Sequence, residues 1–371
     1  MTHSTFGLTL LVVASMSNSL PAADESTDTR PANVRAAFEK MEAADAVSSP
    51  SRFEGQMGKK IPAVEAISEF RQRVAKRPDD FRSMTVLGQL YIRLARETGS
   101  HAAYLTAEKT LREALKVAPN YPTARTWLAV SLAAQHRFRE ALKLATAAFA
   151  QNSRDSTALA AIGDCELHLG SVAAAQETFN KLTEQVGDAS PVLARHAQIA
   201  ELKGDPDRAV ALLESARDSV RLSGTSSELV AWYDLRLATV HHRAGHADDA
   251  RMHYRTALEL DENLHAARIG LARLIAEQGD VALATDLLKE TIDASSSAAA
   301  MIVMGDVLIH QGKHDTASMW YDQAEAVLLK EMQNTRAAHQ RDLSIFYCNR
   351  SRKLPEALAL AKQDLKLRSD I

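Results

Sequence analysis

The sequence predicts an all-α protein built from repeated pairs of helices, and three observations support this prediction. Of the 371 residues, 46% are hydrophobic and only 5% are aromatic. Alanine and leucine are abundant, and they are the strongest helix formers. From residue 170 onward, glycines recur at a nearly constant interval, and apolar residues follow each of them at fixed distances. These glycines are Gly170, Gly204, Gly245, Gly279 and Gly312.

The chain before Ile61 differs from the rest of the sequence. An apolar run, FGLTLLVVASM at residues 6–16, is followed by small residues and a proline, which is the layout of a secretory signal peptide. The run is too short to span a bilayer as a stable helix. We expect a signal peptide at residues 1–23 and a polar, flexible leader with one short helix at residues 24–60. The protein would then be exported, periplasmic or secreted, with no integral membrane segment after cleavage.

From Ile61 onward, a period of about 34 residues organises the chain. An alanine stands five residues after each turn glycine, and a large apolar residue stands four residues after that alanine. Spacings of this kind place the side chains on one helical face, so each unit should hold two antiparallel helices joined by the glycine turn. One unit cannot bury its own apolar face, which predicts a stack of units. The large residues are Phe179, Leu213, Tyr254, Leu288 and Tyr321.

This pattern resembles the tetratricopeptide repeat, which has the same period and a motif that includes Leu-Gly, Tyr, Ala, Phe and Ala. The resemblance is closest near Leu87-Gly88 and Tyr91, while Glu166 and His241 replace the usual aromatic residue. It implies a superhelical solenoid of about seven to eight repeats over residues 61–371. The segments RETGSHAAYLTAEKTLREAL and ALALAKQDLKLRSDI are similar to parts of exported bacterial members of this family.

Two units are about seven residues longer than the others, one around GSHAAYLT and the other around RDSVRLSGTSS. Seven residues make nearly two helical turns. We therefore expect each insertion to lengthen a helix without rotating its buried face.

Motifs for catalysis are missing from the sequence. It contains no Gly-rich phosphate loop, no HExxH, no CxxC and no GxSxG. Once the repeats are assigned, too little chain remains for a separate catalytic domain. We predict that the protein is not an enzyme and uses no cofactor. Cys165 and Cys348 are expected to be small buried residues on helices rather than a disulfide.

Four histidines lie close together in the stretch TVHHRAGHADDARMHYRTALEL. His241 fills the buried slot that usually holds an aromatic residue, and His242 faces the groove. His246 lies in the glycine turn, and His253 is expected on the solvated convex side. Side chains that point in different directions cannot converge on one ion, so no metal site is predicted here.

The resemblance also implies a binding surface, because the family usually binds ligands along the concave face of the first helix of each repeat. Trp232 and Arg243 together could anchor a peptide, since aromatic residues and arginine dominate binding hot spots. Packing beneath a neighbouring helix is the alternative for Trp232. The candidates for partner binding are Arg82, Gln89, Arg93, Asp164, His168, Trp232, Thr239, His242, Arg243, Arg273, Glu277, Asp306 and His310.

The formal net charge of −3 gives no basic excess, so we expect no nucleic-acid partner. The favoured function is a non-catalytic scaffold that binds a protein or peptide partner in the concave groove, in assembly of a bacterial envelope. One alternative is a homo-oligomer that associates through its C-terminal helix. A less favoured one is a metal-dependent accessory protein.

Overall fold

A computed structural model describes residues 63–98, 100–224, 227–334, 336–350 and 353–368. The predicted signal peptide and leader lie outside these residues. The described part contains 17 helices and no strand. In chain order they are α1 (Ala63–Lys76), α2 (Phe81–Thr98), α3 (His101–Val117), α4 (Pro122–Ala134), α5 (Phe138–Gln151), α6 (Ser156–His168), α7 (Val172–Val186), α8 (Ser190–Leu202), α9 (Pro206–Leu222), α10 (Ser227–Ala244), α11 (Ala247–Leu260), α12 (His265–Glu277), α13 (Val281–Ser295), α14 (Ala298–His310), α15 (His314–Asn334), α16 (Arg336–Asn349) and α17 (Leu354–Arg368).

The helices form a continuous stack in which each helix packs on the next one in the sequence. After α1, they fall into pairs, from α2–α3 to α16–α17, and we call the first helix of each pair its A helix and the second its B helix. Some A helices also contact the A helix of the following pair, as α2 contacts α4 and α10 contacts α12. This closer approach curves the stack towards the A helices and places them on the inner face. The predicted all-α repeat solenoid is confirmed.

The turn inside a pair has the same geometry six times in the described residues. A residue with positive φ reverses the chain, and the next backbone N–H donates to the carbonyl five residues earlier, as from His246 to His241 at 2.9 Å. The glycines predicted for this position have φ values such as 82° at Gly245. In α4–α5 the position belongs to His136, with φ of 62°, and the sequence pattern missed it because it relied on glycine.

The core follows the predicted register of small and large side chains. In the α6–α7 pair, Ala175 and Phe179 are fully buried. Phe179 packs directly over Gly163 of the A helix, and a Cβ on that glycine would overlap the phenyl ring. The absence of a side chain at this position therefore allows the close approach of the two helices.

The two longer units lengthen helices, as expected. The helices α2 and α3 contain 18 and 17 residues, and α9 and α10 contain 17 and 18, whereas α8 contains 13. Cys165 is buried as predicted, but Cys348 is exposed, so the prediction for Cys348 is wrong. Cys348 lies near the end of α16, on a face that the described neighbouring helices leave open. Across the described helices, none combines the length and the apolar character that a membrane crossing requires.

Candidate binding surface

All the predicted binding residues lie on A helices. Helix α2 carries Arg82, Gln89 and Arg93, and α6 carries Asp164 and His168. Helix α10 carries Trp232, Thr239, His242 and Arg243. The remaining candidates are Arg273 and Glu277 on α12 and Asp306 and His310 on α14.

Asp164 lies within a buried ion pair rather than on an open groove. Its two carboxylate oxygens accept hydrogen bonds from Nε and Nη2 of Arg195, both at 2.8 Å. The side chains are only 7% and 8% exposed. Burial opposes the charge of the guanidinium, but Asp164 outweighs it and raises the pKa of Arg195. The pair joins α6 to α8, the A helices of successive repeats.

Glu201 makes the next connection, from α8 to α10. One carboxylate oxygen accepts a hydrogen bond from the mostly buried Arg236, and the other accepts one from Arg243 at 3.1 Å. Burial lowers the pKa of Arg236, and Glu201 partly offsets this effect. Arg243 is different because its side chain is 47% exposed. Glu201 therefore holds one covered arginine and one that a partner can reach.

His242 continues the series from α10 to α12. Its Nε2 lies 2.8 Å from Oε2 of Glu277, and its Nδ1 lies 3.4 Å from the hydroxyl of Tyr254. The hydrogen bond from His242 holds the pKa of the Glu277 carboxyl below its usual value, and Arg273 and His310 act in the same direction. These three basic groups surround a carboxylate that is 56% exposed.

Asp306 connects α14 to the end of α16. It accepts a hydrogen bond from the hydroxyl of Tyr321 at 2.7 Å and others from Arg350 at 2.7 and 3.1 Å. Burial and the Asp306 carboxylate both raise the pKa of Tyr321. The Nδ1 of His310 lies 2.8 Å from the backbone carbonyl of Asp306. Asp306 and His310 therefore already have polar partners within the chain.

The polar groups of the inner face thus form a row of links between successive repeats. We call this row the inner strip, and define it as Asp164, Arg195, Glu201, Arg236, Arg243, His242, Glu277, Asp306 and Arg350. The sequence pattern did not predict Arg195, Arg236 and Arg350. Arg195 and Arg236 each precede by two residues the alanine in the usual glycine position of the motif, and each has an acidic residue 31–35 positions earlier. This recurrence was the signal available in the sequence.

The other candidates are partly covered. The ring of His168 stacks on Phe138, with centroids 4.4 Å apart, and Thr239 donates to the carbonyl of Leu235 at 2.8 Å. Trp232 packs against the apolar cluster of α8–α10, with its ring against Tyr233. The residues Arg82, Gln89 and Arg93 are half-buried on α2.

The histidines of the α10–α11 pair are arranged differently from the prediction. His253 is 5% exposed rather than solvated, because its ring stacks on that of His241 and its Nδ1 lies 2.9 Å from Asp234. His246 folds back towards His241, with the two Nδ1 atoms 3.5 Å apart. Burial and the neighbouring His253 lower the pKa of His241. The expectation that these three side chains point apart is therefore wrong, and of the four histidines only His242 belongs to the inner strip.

Comparisons with known proteins agree with this architecture. Three models of the tetratricopeptide repeat match residues 132–199, 188–263 and 235–299. A solved structure described as a human IFIT1 dimer with m7Gppp-AAAA has a TM-score of 0.57 at 15% identity, and the match covers 91% of this chain and 86% of that one. A tetratricopeptide repeat protein from Parabacteroides merdae has a TM-score of 0.49 at 17% identity, and the match covers 64% of this chain and 92% of that one.

At such identities, the likeness to IFIT1 shows the fold alone. A comparison with curated proteins finds no match. The family models, the turn geometry and the buried register of small and large residues are independent of that likeness. The three family matches together span residues 132–299, and the chain is a tetratricopeptide repeat protein.

Proposed function

We propose that this protein is a non-catalytic interaction scaffold that binds an extended peptide or a helix along the inner strip. Tetratricopeptide repeats and their arrays support a role in protein interaction. The observation that carries the finer proposal is the presence of reachable charges of both signs on the neighbouring A helices α10 and α12. Arg243 and Glu277 are the exposed members of the strip there.

A partner can bind at these two residues without leaving a buried charge unpaired. If a carboxylate of the partner replaces Glu201 at Arg243, Glu201 keeps its hydrogen bond from Arg236. If a basic group of the partner binds Glu277, the exposed carboxylate can still accept from His242. This matters because an uncompensated buried charge costs about 3–5 kcal/mol. The arrangement favours a segment that carries an acidic and a basic residue close together.

The inner strip is already ordered in the free chain, which lowers the entropic cost of binding. Its ion pairs fix the side chains of the surface before a partner arrives. Trp232 and Arg273 lie on the same two A helices, α10 and α12, and extend the proposed contact area. Arg82, Gln89, Arg93 and His168 are proposed as secondary contacts at the other end of the array.

The test compares two double variants by affinity capture from a bacterial envelope fraction. R243A/E277A removes both reachable charges of the inner strip. R255A/E259A is the matched control, because it removes one exposed base and one exposed acid from the B helix of the same repeat. We expect the native chain and the control to capture the same partner and R243A/E277A to lose it. Equal capture by all three proteins would reject the inner strip as the binding site.

Export to the periplasm or beyond remains part of the proposal, because the residues that support it precede the described structure. N-terminal sequencing of the protein from its native cells tests this. A start near Ala22 or Ala23 is expected, and an intact Met1 on a protein in the cytoplasm would reject it. A role in envelope assembly depends on this result.

A second candidate function is self-association through α17. Leu354, Leu358 and Leu365 are more than half exposed, and their spacing places them on adjoining parts of one face. The double variant L358E/L365E should convert an oligomer into a monomer in light scattering. A native chain that is monomeric at all concentrations would remove this candidate.

A further inference from the structure

Three potential metal ligands meet at the turn of the α10–α11 pair. His241 lies in the last turn of α10, His246 directly precedes α11, and Asp249 lies in the first turn of α11. The Nδ1 of His241 lies 3.5 Å from Nδ1 of His246 and 3.9 Å from Oδ2 of Asp249. One ligand atom from each residue can be chosen so that all three lie within 4.8 Å of one another.

We propose that His241, His246 and Asp249 bind one divalent transition-metal ion, with Zn²⁺ as the ion that fits this ligand set. Two imidazoles and one carboxylate, with water in the fourth position, are a donor set that zinc uses in open sites. Bonds of about 2.1 Å in tetrahedral geometry place ligand atoms about 3.4 Å apart. The separation of 3.5 Å between the two histidine nitrogens is close to this value, and rotation of the exposed Asp249 side chain can bring its carboxylate closer to both.

The turn geometry explains how residues on two helices can converge. The positive φ of Gly245 reverses the chain, and the backbone hydrogen bond from His246 to His241 holds the two residues together. The prediction of no metal site assumed that these side chains point in different directions. The backbone hydrogen bond across the turn instead brings the rings of His241 and His246 together.

The fold does not require ligands at these positions. Five other described turns have the same backbone hydrogen bond, and none of them holds more than one Asp, Glu or His at the three equivalent positions. Asp205 and Asp280 occupy the position of His246 in two of these turns, where each caps the following helix through its side chain. The side chain of His246 makes no capping hydrogen bond. Its ring instead faces His241.

Without an ion, the two imidazole nitrogens form at most a weak hydrogen bond with each other. A nitrogen–nitrogen separation of 3.5 Å is long for a hydrogen bond, and it requires one nitrogen to carry a proton while the other does not. An ion between the rings would use both lone pairs. His241 is held in place by its stack on the buried His253, with the two rings only 9° from parallel. The site is covered on this side and open on the other, since Asp249 is 58% exposed.

Binding of the ion would tie the end of α10 to the start of α11. It would therefore stabilise the turn of this repeat and leave the inner strip free, because His242 lies about 100° around the helix from His241. The proposal does not depend on the interaction function, since an intact inner strip and an intact metal site are tested by different variants.

The experiment titrates ZnCl₂ into the full chain, without an affinity tag and after treatment with a chelator, by isothermal titration calorimetry. We expect one ion per chain with a dissociation constant in the micromolar range. H246A and D249N should each weaken binding at least tenfold, because they remove one ligand. H314A is the matched control, since it removes an exposed histidine next to the turn of α14–α15, and its affinity should equal that of the native chain.

Circular dichroism of the metal-free variants shows whether each one is folded, and both substituted ligands are exposed residues. Co²⁺ gives a second readout, because its visible spectrum reports the coordination geometry. A four-coordinate spectrum in the native chain that H246A and D249N abolish would support the site. Absence of micromolar binding, or affinities for H246A and D249N equal to the native value, would overturn the proposal.

Discussion

Asp164 shows how a residue predicted as a ligand contact can serve the stability of the array. Its carboxylate and the guanidinium of Arg195 are both almost completely buried and form two hydrogen bonds at 2.8 Å. A third hydrogen bond, at 2.9 Å, runs from Arg195 to the carbonyl of Pro191. A charge that is so well covered is available to a partner only if the repeats separate.

We predict that Asp164→Asn lowers the free energy of unfolding by about 3–5 kcal/mol, because it leaves the charge of Arg195 buried without its counterpart. Urea unfolding followed by circular dichroism measures this. The matched control is Glu113→Gln, which removes an exposed ion pair with Lys116 and should cost at most about 1 kcal/mol.

The double variant D164L/R195M distinguishes two causes of lost stability, an uncompensated buried charge and altered packing. Replacing a buried ion pair by apolar residues of similar size is often neutral or stabilising. The double variant should therefore be more stable than D164N. A double variant as unstable as D164N would show that packing rather than charge decides the stability at this position.

The histidines mark the limit of prediction for single residues. The sequence correctly placed His242 on the inner face, since helical periodicity determines which face a residue occupies. The sequence pattern wrongly placed His253 in solvent. Its ring is buried because it contacts the Asp234 carboxylate and stacks on His241. Asp234 lies 19 residues earlier on another helix. A pattern within one helix carries no information about such a partner.

At the scale of the helix pair, Gly163 sets the distance between α6 and α7. The phenyl ring of Phe179 occupies the space that a side chain at position 163 would need. The sequence predicted this contact in outline, because the small and large residues stood at the correct spacing. The glycine belongs to the Leu-Gly position of the repeat motif, where the A helix meets its B helix most closely.

We predict that Gly163→Ala destabilises the array by about 1–3 kcal/mol, since extra atoms in a packed core force neighbouring side chains to move. This loss should exceed the gain of about 0.5–1 kcal/mol that alanine brings to a helix. The midpoint of thermal unfolding measures the result.

A second substitution tests the cause. Leucine is smaller than phenylalanine and leaves room for an added methyl group. The loss of stability caused by G163A should therefore be smaller when it is measured in the F179L variant than in the native chain. If G163A costs the same with either residue at position 179, the overlap with the phenyl ring is not the reason.

The turns were predictable only where glycine marks them. The six described turns share one backbone hydrogen bond, but His136 provides the positive φ in the α4–α5 pair. Positive φ is uncommon for any residue other than glycine, so the histidine alone does not indicate a turn there. The period of the array supplies the missing information, because His136 lies one full repeat before Gly170.

At the scale of the whole molecule, each pair of helices contacts mainly its neighbours in the sequence. The stability of such an array is approximately a sum of repeat and junction contributions. The period and the register of small and large residues were sufficient to predict this architecture. They could not predict the links of the inner strip, because each link joins side chains 31–44 residues apart on different repeats.

We predict that a chain ending at Asn334, without α16 and α17, still folds. The new last pair loses the contacts of Arg350 with Asp306 and of Tyr347 with Glu325, so its unfolding midpoint should fall. Circular dichroism should show a helical signal reduced in proportion to the two helices removed. A loss of most of the helical signal would show that the array folds as one unit.

The inner strip also has a mechanical consequence. Its ion pairs act in series, since each of the described pairs joins two successive repeats and none of them spans three. The stiffness of the solenoid at a given junction therefore depends on the polar link there, and dissolved salt weakens the exposed links at Arg243 and Glu277 more than the buried one at Asp164. Within the inner strip, added salt should accordingly loosen the junction between α10 and α12 more than the junction between α6 and α8, and a partner bound at Glu277 would stiffen the junction that salt loosens most.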